Sequence, residues 1–449
     1  MGKLFGTDGI RGVANTYPMN AETALAIGRA AAYICKRHEN RHHIVIGKDT
    51  RLSGYMIENA LTAGICSMGV DVLLVGPLPT PGIAFITQSM RADTGIVISA
   101  SHNAFQDNGI KIFSGTGYKL SDEQEAELED LVESGRINDI RPTADEVGKA
   151  YRIDDALGRY IVFCKNTFPD QLNLEGLNVV MDCANGATYK VAPIIFNELG
   201  ANVTAIHNTP TGENINLNCG SQFTDDLSKE ILKQRADVGL AFDGDGDRLI
   251  MVDENGLEIN GDQMIGICAL YMKKSGKLDG DKVILTPMSN IGLRLALENE
   301  GISHEDANVG DRNVLVLMQK TGARLGGEAS GHIIFADHHR TGDGIISALQ
   351  ILAIMKETGK SLSELASFVK MAPQELLNVK VSSKPEIDDI PGLNEAIKAA
   401  EAELGREGRV LVRYSGTEKI CRVMVEATTD DMVRKWSSQL ATIVRDAIG

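Results

Sequence analysis

Apolar and polar positions follow one pattern three times along the chain: a short apolar run, a polar turn, an amphipathic stretch at helical spacing, a glycine and a second apolar run. The first copy is Ile44 to Gly47, Ser53 to Met68, then Gly69 and Val70 to Val75. The second is Val179 to Asp182, Thr188 to Leu199, then Gly200 and Ala201 to Ile206. The third is Val283 to Thr286, Asn290 to Asn299 and Gly301, with a weaker closing strand. Strand, helix and strand in that order predict right-handed crossovers and mostly parallel sheets. The copies lie too far apart for a stacked solenoid, so the pattern predicts three related α/β domains over 1–153, 154–254 and 255–370. From 371 to 449 the character changes. Leu377 to Val381, Arg409 to Arg413 and Cys421 to Ala427 read as strands, and Leu393 to Leu404 and Asp430 to Ile448 as helices, which predicts a smaller C-terminal α+β domain.

Composition narrows the function. A chain of 449 residues with 43% hydrophobic content can bury several cores. The net charge of -16 argues against nucleic-acid or anionic-membrane partners, so an anionic substrate needs a locally basic cleft. Seven scattered cysteines without a C-x-x-C spacing suggest neither a disulfide framework nor a zinc site, and fit a reducing compartment. With no apolar signal segment and no run long enough to span a bilayer, a cytoplasmic location is expected. The acidic run Ser121 to Glu133 reads as a solvated helix face.

Five loops can carry chemistry. Asp243-Gly-Asp245-Gly-Asp247-Arg248 follows the apolar run Val238 to Phe242. Carboxylates at alternate positions of an extended segment share a face, and two charges about 4 Å apart repel by roughly 4 kcal/mol at an effective dielectric of 20, so three call for a cation. Hard oxygen ligands favour Mg²⁺ or Ca²⁺ over zinc. Glu254 would complete an EF-hand loop, but Arg248 stands where that loop needs glycine, which favours Mg²⁺ with an incomplete protein shell. The run Ile96-Val-Ile-Ser-Ala-Ser101-His102-Asn103 ends a strand and continues to Lys111. Ser101 there is a candidate phosphoryl carrier, with His102 and Lys111 able to move protons or hold phosphate oxygens. Taken alone, Ser-His reads more readily as an ordinary turn or helix cap, and no G-x-S-x-G elbow supports a hydrolase triad. Phe5-Gly-Thr-Asp-Gly-Ile-Arg11-Gly sets an arginine between glycines. In Gly326-Gly-Glu328-Ala-Ser330-Gly-His332 an acceptor, a hydroxyl and an imidazole suit the reading of sugar hydroxyls. Arg413-Tyr-Ser415-Gly416-Thr417-Glu418 offers a guanidinium, hydroxyls and amides for a phosphate dianion. Asp337-His338-His339 is similar to a phosphoesterase motif, but its companions are missing and a surface loop is expected.

Together these loops resemble those of the α-D-phosphohexomutase family, over essentially the whole chain. That resemblance implies four domains around a central cleft, each lending at least one loop. It implies a phosphoserine at Ser101, required for activity, and one Mg²⁺ per subunit held by Ser101, Asp243, Asp245 and Asp247. Arg11, His102 and Lys111 would support transfer, with Arg248 beside the phosphoserine. Glu328 and Ser330 would bind the sugar, and Arg413, Ser415, Gly416 and Thr417 the distal phosphate. The wording of the third, fourth and fifth loops implies a hexosamine phosphate as substrate, passing through a bisphosphorylated sugar, and the family implies a homodimer. Ala104 departs from the proline that many relatives carry there. A glucose or mannose phosphate mutase, a metal-dependent sugar-phosphate phosphatase and a silent sensor stay open as alternatives.

Overall fold

The computed structural model describes residues 4–6, 9–36, 42–415 and 419–449. They form two compact units, Met1–Pro287 with Glu305–Ala366, and Met288–His304 with Ser367–Gly449. In the larger unit a six-stranded sheet runs in the order Ile10–Val13, Asp107–Ser114, Thr94–Ile98, His43–Lys48, Asp71–Pro77, Ala150–Arg152. Its last four strands are mutually parallel, as the repeat predicts, while Asp107–Ser114 runs antiparallel to both neighbours. Helices Ala21–Cys35 and Gly54–Cys66 cover one face, burying Ala24, Ile27, Ala31 and Ile34 at helical spacing. They approach so closely that a Cβ at Gly28 would lie 2.5 Å from the Leu61 carbonyl and one at Gly64 2.3 Å from that of Leu25.

A second sheet orders Glu258–Ile259, Leu249–Val252, Val238–Phe242, Asn178–Asp182 and Asn202–Ile206, again with a parallel centre and antiparallel strands on one side. In the third, Lys282–Leu285 pairs parallel with Leu325–Gly327, which pairs antiparallel with Ile333–Phe335. Strand, helix and strand of the first two repeats lie where the apolar pattern put them. In the third repeat, helix Ile291–Asn299 groups with the smaller unit, where the Ile291 amide donates to Glu426 at 3.2 Å. That smaller unit is otherwise a three-stranded antiparallel sheet, Gln374–Lys380, Ile420–Glu426, Arg409–Tyr414, packed against helices Leu393–Leu404 and Asp430–Ile448 over a core that includes Trp436.

The acidic run is the helix Asp122–Glu133, capped by Ser121, with only Leu128 and Leu131 buried. The expectation of a surface loop at residues 337–339 needs correction. Asp337 is exposed, but His339 is buried, its ring edge-on to Phe163 at 5.3 Å between centroids. No helix among the described residues is long and apolar enough to cross a membrane.

Candidate functional site

Three of the singled-out loops are built alike: 99–106, 243–248 and 328–332 each join a strand to the antiparallel neighbour that follows it. In the smaller unit the segment after Tyr414 stands in the same relation to strands Arg409–Tyr414 and Ile420–Glu426. A hairpin connection leaves side chains at the strand ends, beyond the hydrogen-bonded ladder, where they can face a ligand.

In the first of these loops the Ser101 backbone is left-handed, φ 51°, a conformation a non-glycine residue keeps only when its surroundings hold it. The holder is Arg51, which the sequence reading did not single out. Its fully buried guanidinium donates to the carbonyls of Ser101 at 2.9 Å, Asn103 at 2.8 Å, Asp107 at 3.1 Å and Ala104, and through Nε to Asp49 at 2.8 Å. Asn216 adds bonds from its amide to the Ser101 and Asn103 carbonyls, both at 2.9 Å. The available signal was position: Asp49 and Arg51 are charges directly beyond an apolar strand end, where α/β sheets gather polar groups.

The acidic loop is a turn rather than the extended segment expected from alternation. The Gly246 amide donates to the Asp243 carbonyl at 3.1 Å, with Gly246 at φ 70°. This turn brings an oxygen from each of Asp243, Asp245 and Asp247 within 4.8 Å of the others, all three side chains buried. Ser101 Oγ donates to Asp243 Oδ2 at 2.7 Å and lies 3.3 Å from His102 Nδ1. Lys111 Nζ reaches Asp245 at 3.0 Å and Asp247 at 3.6 Å, and Thr80 donates to Asp245 at 2.7 Å. Burial, then the charges of Asp245 and Asp247, push Asp243 well above the ordinary carboxylate range. Burial opposes ionisation of Asp245 as well, but Lys111 foremost and the hydrogen bonds from its neighbours outweigh it and hold Asp245 low. For His102, burial and then the charges of Arg248 and Arg11 push the imidazole down to about 4, so the ring is neutral at pH 7.

The donor set fits a hard divalent cation. Asp245 Oδ1 and Asp247 Oδ1 are buried without hydrogen-bond partners among the described residues, and the serine hydroxyl stands beside the third carboxylate. Glu254, the residue an EF-hand would need, instead accepts from the Ser363 amide at 3.4 Å, and strands flank the loop.

A cavity of about 450 Å³ opens beside this cluster, lined among others by Arg11, Asp247, Arg248, Asp311, Glu328 and His332. Its size suits a sugar phosphate. Glu328 Oε1 accepts from the Gly310 amide at 3.0 Å. His332, fully enclosed, accepts at Nε2 from the Gly342 amide at 3.1 Å, which places its ring proton on Nδ1, 3.7 Å from Asp247 Oδ1. Ser330 Oγ is out of solvent and bonds no group among the described residues. The larger unit thus brings together Arg11, Ser101, His102, Lys111, the three aspartates, Arg248, Glu328 and His332. In the smaller unit Arg413 lies opposite Arg422 on the neighbouring strand and donates to Met288 Sδ at 3.7 Å. Burial, then Arg422, lowers its pKa. Lys384, also not singled out in the sequence, donates to the Ser415 carbonyl at 2.6 Å. Gly416 and Thr417 lie outside the described residues.

A buried serine hydroxyl on a carboxylate cluster, with a neutral imidazole and a lysine at hand on a multidomain α/β scaffold, has the groups that a phosphoryl-transfer enzyme needs. The sequence bears out that class: it matches the models of phosphoglucomutase/phosphomannomutase α/β/α domain I over residues 2–138, domain II over 158–256, domain III over 260–371 and the C-terminal domain over 376–443, and the chain belongs to this family. Among its relatives, the phosphoglucosamine mutases of Syntrophus aciditrophicus and Syntrophobacter fumaroxidans are 60% and 59% identical to it, each alignment covering all of both chains. A phosphoglucomutase/phosphomannomutase family protein of Burkholderia thailandensis shares the fold, with a TM-score of 0.82 at 24% identity over 99% of this chain and 97% of its own.

Proposed function

We propose that the chain is a phosphoglucosamine mutase that interconverts glucosamine 6-phosphate and glucosamine 1-phosphate through a phosphoserine at Ser101. The observation that carries this reading is the 2.7 Å contact of Ser101 Oγ with the buried aspartate triplet, next to a cavity of sugar-phosphate size. The full-length identity to phosphoglucosamine mutases supports the choice of sugar.

In the first half-reaction the phosphoryl group leaves Ser101 Oγ as a sugar hydroxyl oxygen attacks phosphorus: the Ser–O–P bond breaks, the sugar–O–P bond forms, and neutral His102 takes the hydroxyl proton. The bisphosphorylated sugar then turns around. In the second half-reaction Ser101 Oγ takes back the phosphoryl group from the other end, and the proton returns to the sugar oxygen released there. Asp243, Asp245, Asp247 and Ser101 would hold one Mg²⁺, which neutralises charge on the transferring group. Lys111, Arg11 and Arg248 add fixed positive charge at the same place. Glu328, Ser330 and His332 read sugar hydroxyls in either orientation. Arg413, Ser415, Gly416 and Thr417 hold the phosphate that is not reacting. The reading includes four domains with the limits 1–153, 154–254, 255–370 and 371–449, a homodimer, and a cytoplasmic location.

The test is Ser101→Ala. Isomerase activity should fall to background while the substrate still binds, and mass mapping of the wild-type protein should find phosphate on Ser101. Turnover by the variant would remove Ser101 as carrier. Steady release of inorganic phosphate without 1-phosphate product would instead identify a phosphatase.

A further inference from the structure

We propose that Thr80 is a positioning residue for the cation site: its hydroxyl holds Oδ2 of Asp245 and so leaves Oδ1 of the same carboxylate for the ion; this rests on the Mg²⁺ reading above. Thr80 opens the helix Thr80–Ser89, which follows strand Asp71–Pro77 of the six-stranded sheet, whereas Asp245 follows strand Val238–Phe242 of the second sheet. The two buried residues meet twice. The Thr80 amide, which has no intrahelical partner in the first turn, donates to the Asp245 carbonyl at 2.9 Å, and Thr80 Oγ1 donates to Asp245 Oδ2 at 2.7 Å. Beside them the two segments approach so closely that a Cβ at Gly246 would lie 3.2 Å from the Cβ of Pro79.

The way the triplet's oxygens are shared out makes this contact informative. Asp245 Oδ2 receives two donors, Thr80 Oγ1 and Lys111 Nζ at 3.0 Å, while Oδ1 is buried with no hydrogen-bond partner among the described residues. Asp243 is arranged otherwise: Ser101 Oγ and the Arg248 amide engage its two oxygens at 2.7 and 3.2 Å. A carboxylate held at one oxygen by two donors presents the other in one direction, and outer partners of this kind orient a metal ligand. Lys111 fixes that direction less well, because its ammonium stands on a long flexible stem and also lies 3.6 Å from Asp247. Thr80 has a short side chain and a backbone anchor on the same aspartate, so its hydroxyl direction is set by the start of the helix. Tying that helix to the loop needs no more than the amide bond. The hydroxyl is what singles out one carboxylate oxygen.

The experiment measures Mg²⁺ binding to the full chain, without sugar, by isothermal titration calorimetry in the wild type, Thr80→Val, Thr80→Ser and Asp245→Asn, together with the melting temperature of each metal-free protein. Thr80→Val keeps the amide bond but not the hydroxyl, and should raise the Mg²⁺ dissociation constant about 10- to 100-fold. Thr80→Ser keeps the hydroxyl and should stay within about threefold of the wild type. Both metal-free variants should melt within about 4 °C of it, the scale of one lost hydrogen bond. Thr80→Ala, which also lacks the hydroxyl, decides the matter if Thr80→Val does not fold. An unchanged dissociation constant in Thr80→Val, equal weakening in Thr80→Val and Thr80→Ser, or weakening that comes with a larger fall in metal-free melting temperature assigns Thr80 a packing role alone and overturns the proposal. A wild type that binds no Mg²⁺, or binds it equally well after Asp245→Asn, overturns the cation reading itself.

Discussion

The guanidinium of Arg51 is the least replaceable group behind Ser101. Four loop carbonyls and the Asp49 carboxylate accept hydrogen bonds from it, and the guanidinium, Asp49 and Ser101 are out of solvent. Lysine can supply the charge but not the planar fork. Arg51→Lys should therefore leave several carbonyls unpaired and let the left-handed backbone at Ser101 relax. We expect kcat to fall about 10- to 100-fold with a much smaller change in KM, read from steady-state kinetics. Arg51→Met strands Asp49 as well, and should cost about 3–5 kcal/mol of stability in a denaturant titration. Arg413 is a different case, since the role proposed for it is to hold a phosphate rather than to shape a loop. Arg413→Ala should raise KM about 10- to 100-fold with kcat changed less, and an unchanged KM would exclude it from the cradle.

At the scale of elements, helix Gly344–Thr358 is capped by Asp343, whose Oδ1 accepts from the Ile345 and Ile346 amides at 3.0 Å while Oδ2 accepts from Tyr160 at 2.7 Å. Burial pushes this carboxyl from 3.8 up to about 6, the capping bonds only partly offsetting it. Below about pH 3.8 the folded and unfolded forms both carry the proton, and between 3.8 and 6 only the folded form keeps it. Above about 6 the fold must hold a buried charge, so this group's effect on stability worsens as pH rises through that window. Asp343→Asn keeps the cap without the charge. Relative to the wild type it should gain up to about 3 kcal/mol between pH 4 and pH 7, measured by denaturation at each pH; a gap independent of pH would contradict the assignment. The strands and helices of the repeats were legible because both periods, 2 and 3.6, are written in apolar positions. The antiparallel return strands that make each motif a hairpin connection were not, since Asp107–Ser114 and Leu249–Val252 carry no mark of direction. The aspartates, Ser101 and Glu328 were legible from local strings. Arg51 and Thr80 were not, because their partners lie in distant segments, Arg51 on 101–107 and Thr80 on Asp245.

For the whole molecule, the two units have separate cores, and the single tryptophan, Trp436, is buried in that of the smaller one. The aspartate triplet lies in the larger. A cation that binds only the folded site stabilises the unit that contains it, by about 2.7 kcal/mol at a hundred times its dissociation constant. Adding Mg²⁺ should therefore raise the main calorimetric transition and move the Trp436 fluorescence midpoint less, since that signal follows the smaller unit. Asp245→Asn should abolish the calorimetric shift. The substitution removes one of the three charges, and Asp245 supplies one of the triplet's two buried oxygens that have no hydrogen-bond partner among the described residues. If Mg²⁺ raised the transition equally in wild type and variant, the cation would be binding elsewhere. If it raised neither, the triplet would be balanced by Lys111 and a proton on Asp243 alone, and phosphoryl transfer here would rest on the fixed positive charges of Arg11, Lys111 and Arg248.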